Sequence, residues 1–331
     1  MSVQVEASVA PTTRAKGTRS VVSRIGGTVA GSVGTVVVAS FVIFVALSFA
    51  PGDPVAAILG AKATPQARAA MREKLGLDDP LLVRYWHWLG DAVHGDFGTS
   101  LTKRQAVTSL LGPRIETTLL LVVLAAILLL VIGIGLGVLG GVSRRWRPIV
   151  SALAGLGIAI PTFVAASVLI GVFAVELGWF PTYGAGSGLA DRIHHLILPA
   201  IALSLVSAAY VTQLTSAAVR EEQGKEHVAT SVGRGIPWRV IVRRHVLRNA
   251  ALPVMTASGL AIAGLVAGSV IVEEAFGIDG IGSLLVTSIS GKDYPTVQAI
   301  SLIIVVVFVV VMTVIDIAQA MLDPRLRESD R

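Results

Sequence analysis

The sequence contains no cysteine among its 331 residues. Disulfide bonds, thiol catalysis and metal sites with cysteine ligands are therefore excluded. Charged residues are also scarce, at 15% of the chain, whereas ordinary soluble domains carry roughly 25%. Hydrophobic residues make up 53%. This balance is too apolar for a soluble globular domain and favours a membrane protein.

Asp, Glu, Lys and Arg are missing from six stretches, each at least 22 residues long. These stretches are Ile25–Gly52, Thr117–Ser143, Pro148–Val175, Ile193–Val219, Asn249–Val272 and Tyr294–Ile315. A helix of about 20 residues crosses the hydrocarbon core of a bilayer, which is ~30 Å thick. No alternating pattern typical of a membrane β-barrel is present. The sequence therefore predicts an all-α integral membrane protein with six transmembrane helices.

Arginine and lysine are concentrated in the two tails and in the connections after the second and fourth predicted spans. The connection after the fifth span is instead acidic, with Glu273, Glu274, Asp279 and Asp293 against Lys292. The positive-inside rule predicts that the even-numbered connections and both termini are cytoplasmic. Since the basic residues lie beside apolar runs, the net charge of +6 favours membrane orientation over binding of nucleic acid.

These patterns divide the chain into segments with different predicted environments. They are a cytoplasmic tail (1–24), a first transmembrane helix (25–52), a small external subdomain (53–116), a transmembrane domain (117–322) with a cytoplasmic loop (220–249), and a second cytoplasmic tail (323–331). In the external subdomain, short helices are predicted from Thr64-Pro65 to Gly76 and from Asp79-Pro80 to about Gly95. The second is rich in aromatic residues, which is typical of a helix at the membrane interface and is compatible with a contact to an external partner.

The cytoplasmic loop Arg220–Asn249 is long enough for two short helices but too polar to enter the bilayer. Val228 and Val232 are four residues apart and form a small apolar stripe on the first predicted helix. The segment Gly233–Gly235 ends that helix, and Pro237 begins the next. A short exposed helix between glycine-rich turns is suited to docking, although a solvated loop with arginines at the membrane surface has the same pattern.

The motifs typical of enzymes and ion carriers are either absent from the sequence or lie in the wrong structural context. The string Gly135–Gly140 matches G-x-G-x-x-G but lies inside a predicted span, where its glycines are expected to allow close helix packing, as are Gly27 and Gly31. The sequence has no P-loop, so we expect no ATP binding by this chain alone. It also lacks H-E-x-x-H and G-x-S-x-G. No charged residue interrupts the span cores, which argues against an ion-coupled carrier.

Two rival classes remain at this point. An intramembrane enzyme needs polar catalytic groups within the spans, and the sequence offers only scattered hydroxyls such as those of Ser204, Ser207 and Thr212, with no base nearby. A passive channel needs no docking helix on its cytoplasmic side. Neither class accounts for the Arg220–Asn249 loop.

Seven short motifs occur one after another along the chain: Pro51–Pro54, Leu75–Asp78, Gly95–Ser100, Pro161–Phe163, Gly280–Gly282, Asp293–Pro295 and Asp323–Arg327. Over about residues 20–328 this order and spacing resemble the B-type permease subunits of bacterial dipeptide, oligopeptide and nickel ABC importers. The resemblance implies a type I ABC importer permease fold in the bacterial inner membrane. It implies no catalysis, cofactor or metal in this chain, and it leaves the substrate-binding residues unassigned.

The same resemblance identifies the cytoplasmic loop as the EAA loop, whose coupling helix enters a groove of the partner ATPase. The matching positions are Val228, Ala229, Thr230, Ser231, Val232, Gly233, Arg234 and Gly235. Ser231 and Gly233 replace alanines of the usual pattern, and Val232 replaces a basic residue. The implied partners are a second homologous permease, two ATP-binding cassette domains that hold ATP and Mg²⁺, and an external solute-binding protein that delivers peptides or a similar small solute.

The charge pattern generates a prediction about topology. Reporter fusions after Arg147 and after Lys225 should give a cytoplasmic signal, and fusions near Gly186 and Gly291 an external one, because basic connections are retained inside. An external signal at Lys225 would reverse the orientation and remove the cytoplasmic loop from the reach of any ATPase.

Overall fold

The computed structural model describes residues 14–50, 55, 59, 60, 63–74 and 76–322. The motif strings Pro51–Pro54 and Asp323–Arg327 lie outside these residues. The helices follow in the order α1 (Arg14–Ser48), α2 (Pro65–Lys74), α3 (Leu81–Val93), α4 (Val107–Val142), α5 (Arg147–Ala159), α6 (Thr162–Leu169), α7 (Leu189–Gln223), α8 (Glu226–Gly233), α9 (Trp238–Ile241), α10 (Leu247–Ala275), α11 (Ile281–Ser290) and α12 (Tyr294–Leu322). Wider π-helical turns extend α6 over Ile170–Glu176 and join α9 to α10 over Val242–Val246.

In the described part of the chain, five helices are long and apolar enough to cross a membrane: Gly26–Ser48, Val107–Val142, Leu189–Gln223, Trp238–Ala275 and Tyr294–Gln319. The remaining predicted span is a pair, α5 with the extended α6, bent by 101°. Counting this pair as one span gives the six predicted spans. The prediction that Pro148–Val175 forms one continuous helix is wrong, because the pair is sharply bent. Pro161 disfavours the helical conformation of the residue before it, and Ile160 accordingly has an extended backbone with φ −86° and ψ 117°.

Helix α7 lies at the centre of the bundle and packs against α4, α5, α6 and α10. Its buried side chains join those of α4 and α10 in the largest hydrophobic cluster, which includes Leu121, Leu129, Leu196, Val211 and Leu265. Helix α1 packs mainly on α12, at the edge of the bundle. Most of its side chains are at least partly exposed, as expected for a helix that faces lipid.

Small residues set the distance between α4 and α7. Gly133, Gly137 and Gly141 follow one another at four-residue intervals, which places them on one face of α4. A Cβ atom on Gly141 would lie 2.7 Å from Cβ of Val219, and one on Gly137 would overlap Thr215. In a bilayer, where burial of apolar surface drives helix association weakly, such close contact between backbones is a main source of stability.

The glycines expected to allow packing are therefore only partly the right ones. Gly137 and Gly140 have no room for a side chain, which confirms the expectation for them. Among the residues that the structure describes, a Cβ atom added to Gly135, Gly27 or Gly31 would meet nothing within 4 Å, so these three do not set the packing of the described helices. The structure shows that the direction of each glycine on its helix, which the motif alone does not reveal, determines its role.

Replacing Gly137 by alanine should destabilise the folded chain by about 1–3 kcal/mol, because the added methyl group forces α4 away from Thr215. Gly135→Ala is the matched control, since it lies on the same helix with open space around it. The measurement is the unfolding midpoint of the purified chain in lipid nanodiscs, followed by tryptophan fluorescence. Equal midpoints for the two variants would contradict the packing role of Gly137.

Candidate functional site

The predicted loop Arg220–Asn249 contains the two short helices that the sequence predicts, α8 and α9. Helix α8 ends in a turn in which Gly235 has φ +74°. The Gly235 N–H donates to the carbonyl of Val232 at 2.9 Å and the Ile236 N–H to that of Ser231 at 3.2 Å. This pair of bonds is the Schellman motif, in which glycine is preferred because a side chain disfavours positive φ. Pro237 then precedes α9 as its N-cap, one position earlier than expected.

The two valines of α8 differ in exposure. Val232 is 53% exposed, whereas Val228 is only 2% exposed and lies in a hydrophobic cluster with Val219, Ile241 and Val246. The expectation that both valines form one surface for a partner is therefore wrong for Val228. Its side chain instead attaches α8 to the ends of α7 and α10, and Val232 stays at the surface.

The remaining predicted positions of α8 lie around this exposed side. Ala229, Thr230, Gly233 and Arg234 are exposed, and a Cβ atom added to Gly233 would meet none of the described atoms within 4 Å. Ser231 is buried and donates a hydrogen bond to the carbonyl of His227 at 2.8 Å. The exposed surface of α8 therefore consists of Val232 surrounded by small and polar residues.

A buried carboxylate near the base of α8 was not found from the sequence. Glu222 is in the last turn of α7, and its side chain is 4% exposed. One carboxylate oxygen accepts a hydrogen bond from Asn249 Nδ2 at 2.7 Å and lies 3.1 Å from His227 Nε2. The other accepts from Lys225 Nζ at 2.5 Å. We call these four residues the Glu222 cluster.

On the opposite side of the bundle, Asp293 connects two segments that are far apart in sequence. Its carboxylate accepts hydrogen bonds from the Ser100 hydroxyl, from the Leu101 N–H at 3.0 Å and from the Thr102 hydroxyl at 2.9 Å. Burial opposes ionisation, but these hydrogen bonds outweigh it and hold the pKa of the Asp293 carboxyl below its ordinary value. The strings Gly95–Ser100 and Asp293–Pro295, which were only parts of a resemblance in the sequence, are thus in direct contact.

Glu273 performs a similar task at the end of α10. It is fully buried and accepts hydrogen bonds from Thr118 Oγ1 and the Gly282 N–H, both at 2.7 Å, and from the Ser283 N–H at 3.1 Å. The carboxylate thereby caps the N-terminus of α11, whose first N–H groups have no partner within the helix. It also fills the space beside Gly280, which explains why that position has no side chain.

The aromatic helix α3 packs on α1 through Tyr85. The Tyr85 hydroxyl donates to the carbonyl of Val37 at 3.0 Å, and its ring contacts Phe41 and Phe44 edge-on. Leu82 and Trp86 are each 59% exposed on the outer side. An exposed aromatic side is compatible with either a membrane interface or an external partner, and both interpretations stay open.

The spans contain no arrangement that suits catalysis among the residues that the structure describes. The Ser204 hydroxyl donates to the carbonyl of Ile201 at 3.2 Å, and the Thr212 hydroxyl to that of Ala208 at 2.8 Å. Both hydroxyls are thus bonded to the backbone of their own helix. Within the same described part of the chain, no three His, Asp or Glu side chains are grouped in a way that could hold a metal ion.

Comparison with known proteins decides the family. Residues 130–328 match the family described as binding-protein-dependent transport system inner membrane component, and residues 19–122 match the N-terminal region of such membrane components. The chain belongs to this family of ABC importer permeases. It is thus a multi-pass membrane protein and a non-catalytic transport subunit, in agreement with the resemblance recognised in the sequence.

The relatives cover nearly the whole chain. The glutathione transport system permease protein GsiC of Escherichia coli (strain K12) is 36% identical over 299 residues, which are 90% of this chain and 96% of GsiC. The probable peptide ABC transporter permease protein y4tP of Sinorhizobium fredii is 36% identical over 293 residues, 86% of this chain and 93% of y4tP. A solved inward-facing structure of the MetNI methionine ABC transporter shares the fold, with a TM-score of 0.55, 20% identity, and coverage of 65% of this chain and 96% of that one.

The Asp293 contacts generate a prediction about the turn that they hold in place. Asp293→Asn should weaken the attachment of the Ser100–Lys103 turn by about 1–3 kcal/mol, because an amide nitrogen cannot accept the hydrogen bonds that the lost oxygen accepted. Hydrogen exchange of the Leu101 amide in nanodiscs at neutral pH should accelerate correspondingly. The control is Asp279→Asn, because the Asp279 side chain is 92% exposed and replacing it should leave this exchange unchanged.

The attachment of the Ser100–Lys103 turn to Asp293 should weaken as the pH falls. Since the folded-state pKa of Asp293 lies below its ordinary value of ~3.9, its stabilisation is complete above that value and is lost as the pH falls through the folded-state pKa. Acid should therefore loosen the turn in the parent chain and have less effect in Asp293→Asn. Equal acid sensitivity in both would contradict the assignment.

Proposed function

We propose that this chain is one of two permease subunits through which an ATP-driven importer passes peptides or a similar small solute. The observation that carries the proposal is α8: a short helix with an exposed apolar side chain, Val232, held by the buried Val228 on its other side. We propose that this exposed surface docks on a partner ATPase and acts as the coupling helix. A second homologous permease completes the pathway, and two ATP-binding cassette domains hold ATP and Mg²⁺.

The position of α8 within the bundle supports a cytoplasmic orientation. Gln223 Nε2 donates a hydrogen bond to the carbonyl of Gly141 at 3.2 Å, so the end of α7 and the end of α4 lie at the same side of the bundle. The exposed Arg144 and Arg145 follow directly after α4. Two basic connections at one side are typical of the cytoplasmic side of a membrane protein. Asp293 and its contacts then lie outside, where a solute-binding protein would approach.

The substrate class rests on the relatives. GsiC is named for glutathione transport and y4tP for peptide transport, and each covers most of this chain. Since glutathione is itself a small peptide, one substrate chemistry accounts for both names. We therefore propose a short peptide as the solute, delivered by the external binding protein.

The proposal is tested by changing α8 without disturbing the spans. Gly235→Pro should abolish uptake by the reconstituted complex, because proline fixes φ near −65° and removes the N–H that bonds Val232. Gly235→Asn is the matched control and should retain most of the uptake, since asparagine tolerates positive φ. Val232→Asp should also abolish uptake, while Val232→Ala should reduce it only partly, because a charge in a docked apolar contact is costly.

The measurements are uptake, ATP hydrolysis and the amount of chain in the membrane. All four variants should reach the membrane at near-parental levels, because none changes a transmembrane segment. Hydrolysis should require the co-purified ATPases and be absent from this chain alone. Full uptake by Gly235→Pro and Val232→Asp combined would show that α8 is not the coupling element, and ATP hydrolysis by the isolated chain would overturn the assignment of roles.

A further inference from the structure

We infer that Glu222 is a positioning residue for transport: its carboxylate joins α8 to the ends of α7 and α10, so that displacement of α8 moves both spans together. The inference rests on the proposed function only in giving α8 a mechanical role. The attachment itself is a property of this chain and can be measured without any partner.

The burial of Glu222 is the first argument. A carboxylate that loses contact with water is tolerated only where charged or polar partners replace that water. Both oxygens of Glu222 have such partners, Asn249 and His227 on one and Lys225 on the other. Hydrogen bonds to an ionised group are stronger than those between neutral groups. The Lys225 and His227 side chains are about half exposed, so the bond to Asn249 contributes most to the Glu222 cluster, which lies where three segments of chain meet.

The location of the partners is the second argument. Glu222 belongs to α7, Lys225 and His227 lie at the start of α8, and Asn249 lies in the first turn of α10. One carboxylate on the helix that precedes the loop therefore contacts both the start of α8 and the helix that follows the loop. A contact confined to the loop would hold its shape but would transmit no motion to the spans.

An apolar contact of α8 also attaches it to α7 and α10. Val228 packs with Val219 of α7, Ile241 of α9 and Ala250 of α10 in a buried cluster. The polar and apolar contacts lie on consecutive residues of α8 and reach the same two spans. Because each attaches α8 at a different point, the helix cannot slide or tilt without losing one of them.

Distance measurement tests the attachment directly. The chain has no cysteine, so spin labels can be placed at Glu226→Cys on α8 and Ala251→Cys on α10, both exposed positions. In the full chain in nanodiscs, the label-to-label distance distribution should be narrow. Glu222→Ala should broaden it. The control Glu221→Ala removes the same charge from the exposed neighbouring position and should leave the distribution narrow.

Transport measurements test the consequence. In the reconstituted complex, Glu222→Ala should lower the number of solute molecules imported per ATP hydrolysed by roughly tenfold, a size typical of coupling between two sites. Hydrolysis itself should continue, since Val232 and the surface of α8 are unchanged. Asn249→Ala should have a similar effect, and the double variant should be little worse than either single one, because both remove the same contact.

The experiments distinguish failure of the inference about Glu222 from failure of the proposed function. A distribution that stays narrow in Glu222→Ala overturns the inference, whether or not the complex transports. An unchanged ratio of import to hydrolysis in Glu222→Ala also overturns it. Failure of the parent chain to associate with ATPases overturns the proposed function instead, and the distance measurement then still decides whether Glu222 holds α8 in place.

Discussion

The close approach of α4 and α7 is the contact on which the rest of the chain depends. It is possible because Gly133, Gly137 and Gly141 have no side chains, and the two helices are too close together to accommodate any at these positions. In lipid this contact replaces the burial of apolar surface that would hold soluble helices together. Helix α7 then carries functional groups at both ends: Glu222 contacts the loop helix at one end, and Arg192 pairs with Glu116 and Thr117 of α4 at the other.

Among the residues that the structure describes, three carboxylates are buried, and each attaches a connecting segment to the bundle. Glu222, Glu273 and Asp293 all lie at or beyond helix ends, away from the middle of the spans. Glu222 and Glu273 each accept hydrogen bonds from two segments that are separate in sequence, and Asp293 accepts several from the distant Ser100–Thr102 segment. A carboxylate suits this task because its two oxygens accept several donors at once, including backbone N–H groups that have no partner at helix termini. The apolar spans thus provide the bundle, while charged residues determine how its connections attach.

The sequence predicts the parts of this structure that depend on local pattern. Span number follows from length and apolarity, and the helices α2, α3 and α8 follow from proline and glycine positions. The direction of Val228 was not predictable, because a valine pair four residues apart shows which side of a helix is apolar but not what covers it. The break at Pro161 had a signal in the proline itself, but an uncharged stretch of sufficient length outweighed it. The partners of Asp293 are about 190 residues away, beyond any local pattern.

The position of α1 has a consequence for biogenesis. Its main partner among the spans is α12, and the Ser32 and Thr313 hydroxyls of the two helices form a hydrogen bond of 2.6 Å across 281 residues. Translation proceeds from the N-terminus, so α1 enters the membrane before α12. Helix α1 therefore cannot pack against its principal partner until α12 has been made, and contacts of such long sequence separation form slowly. During synthesis, α1 functions as an anchor in lipid long before it is part of the folded bundle.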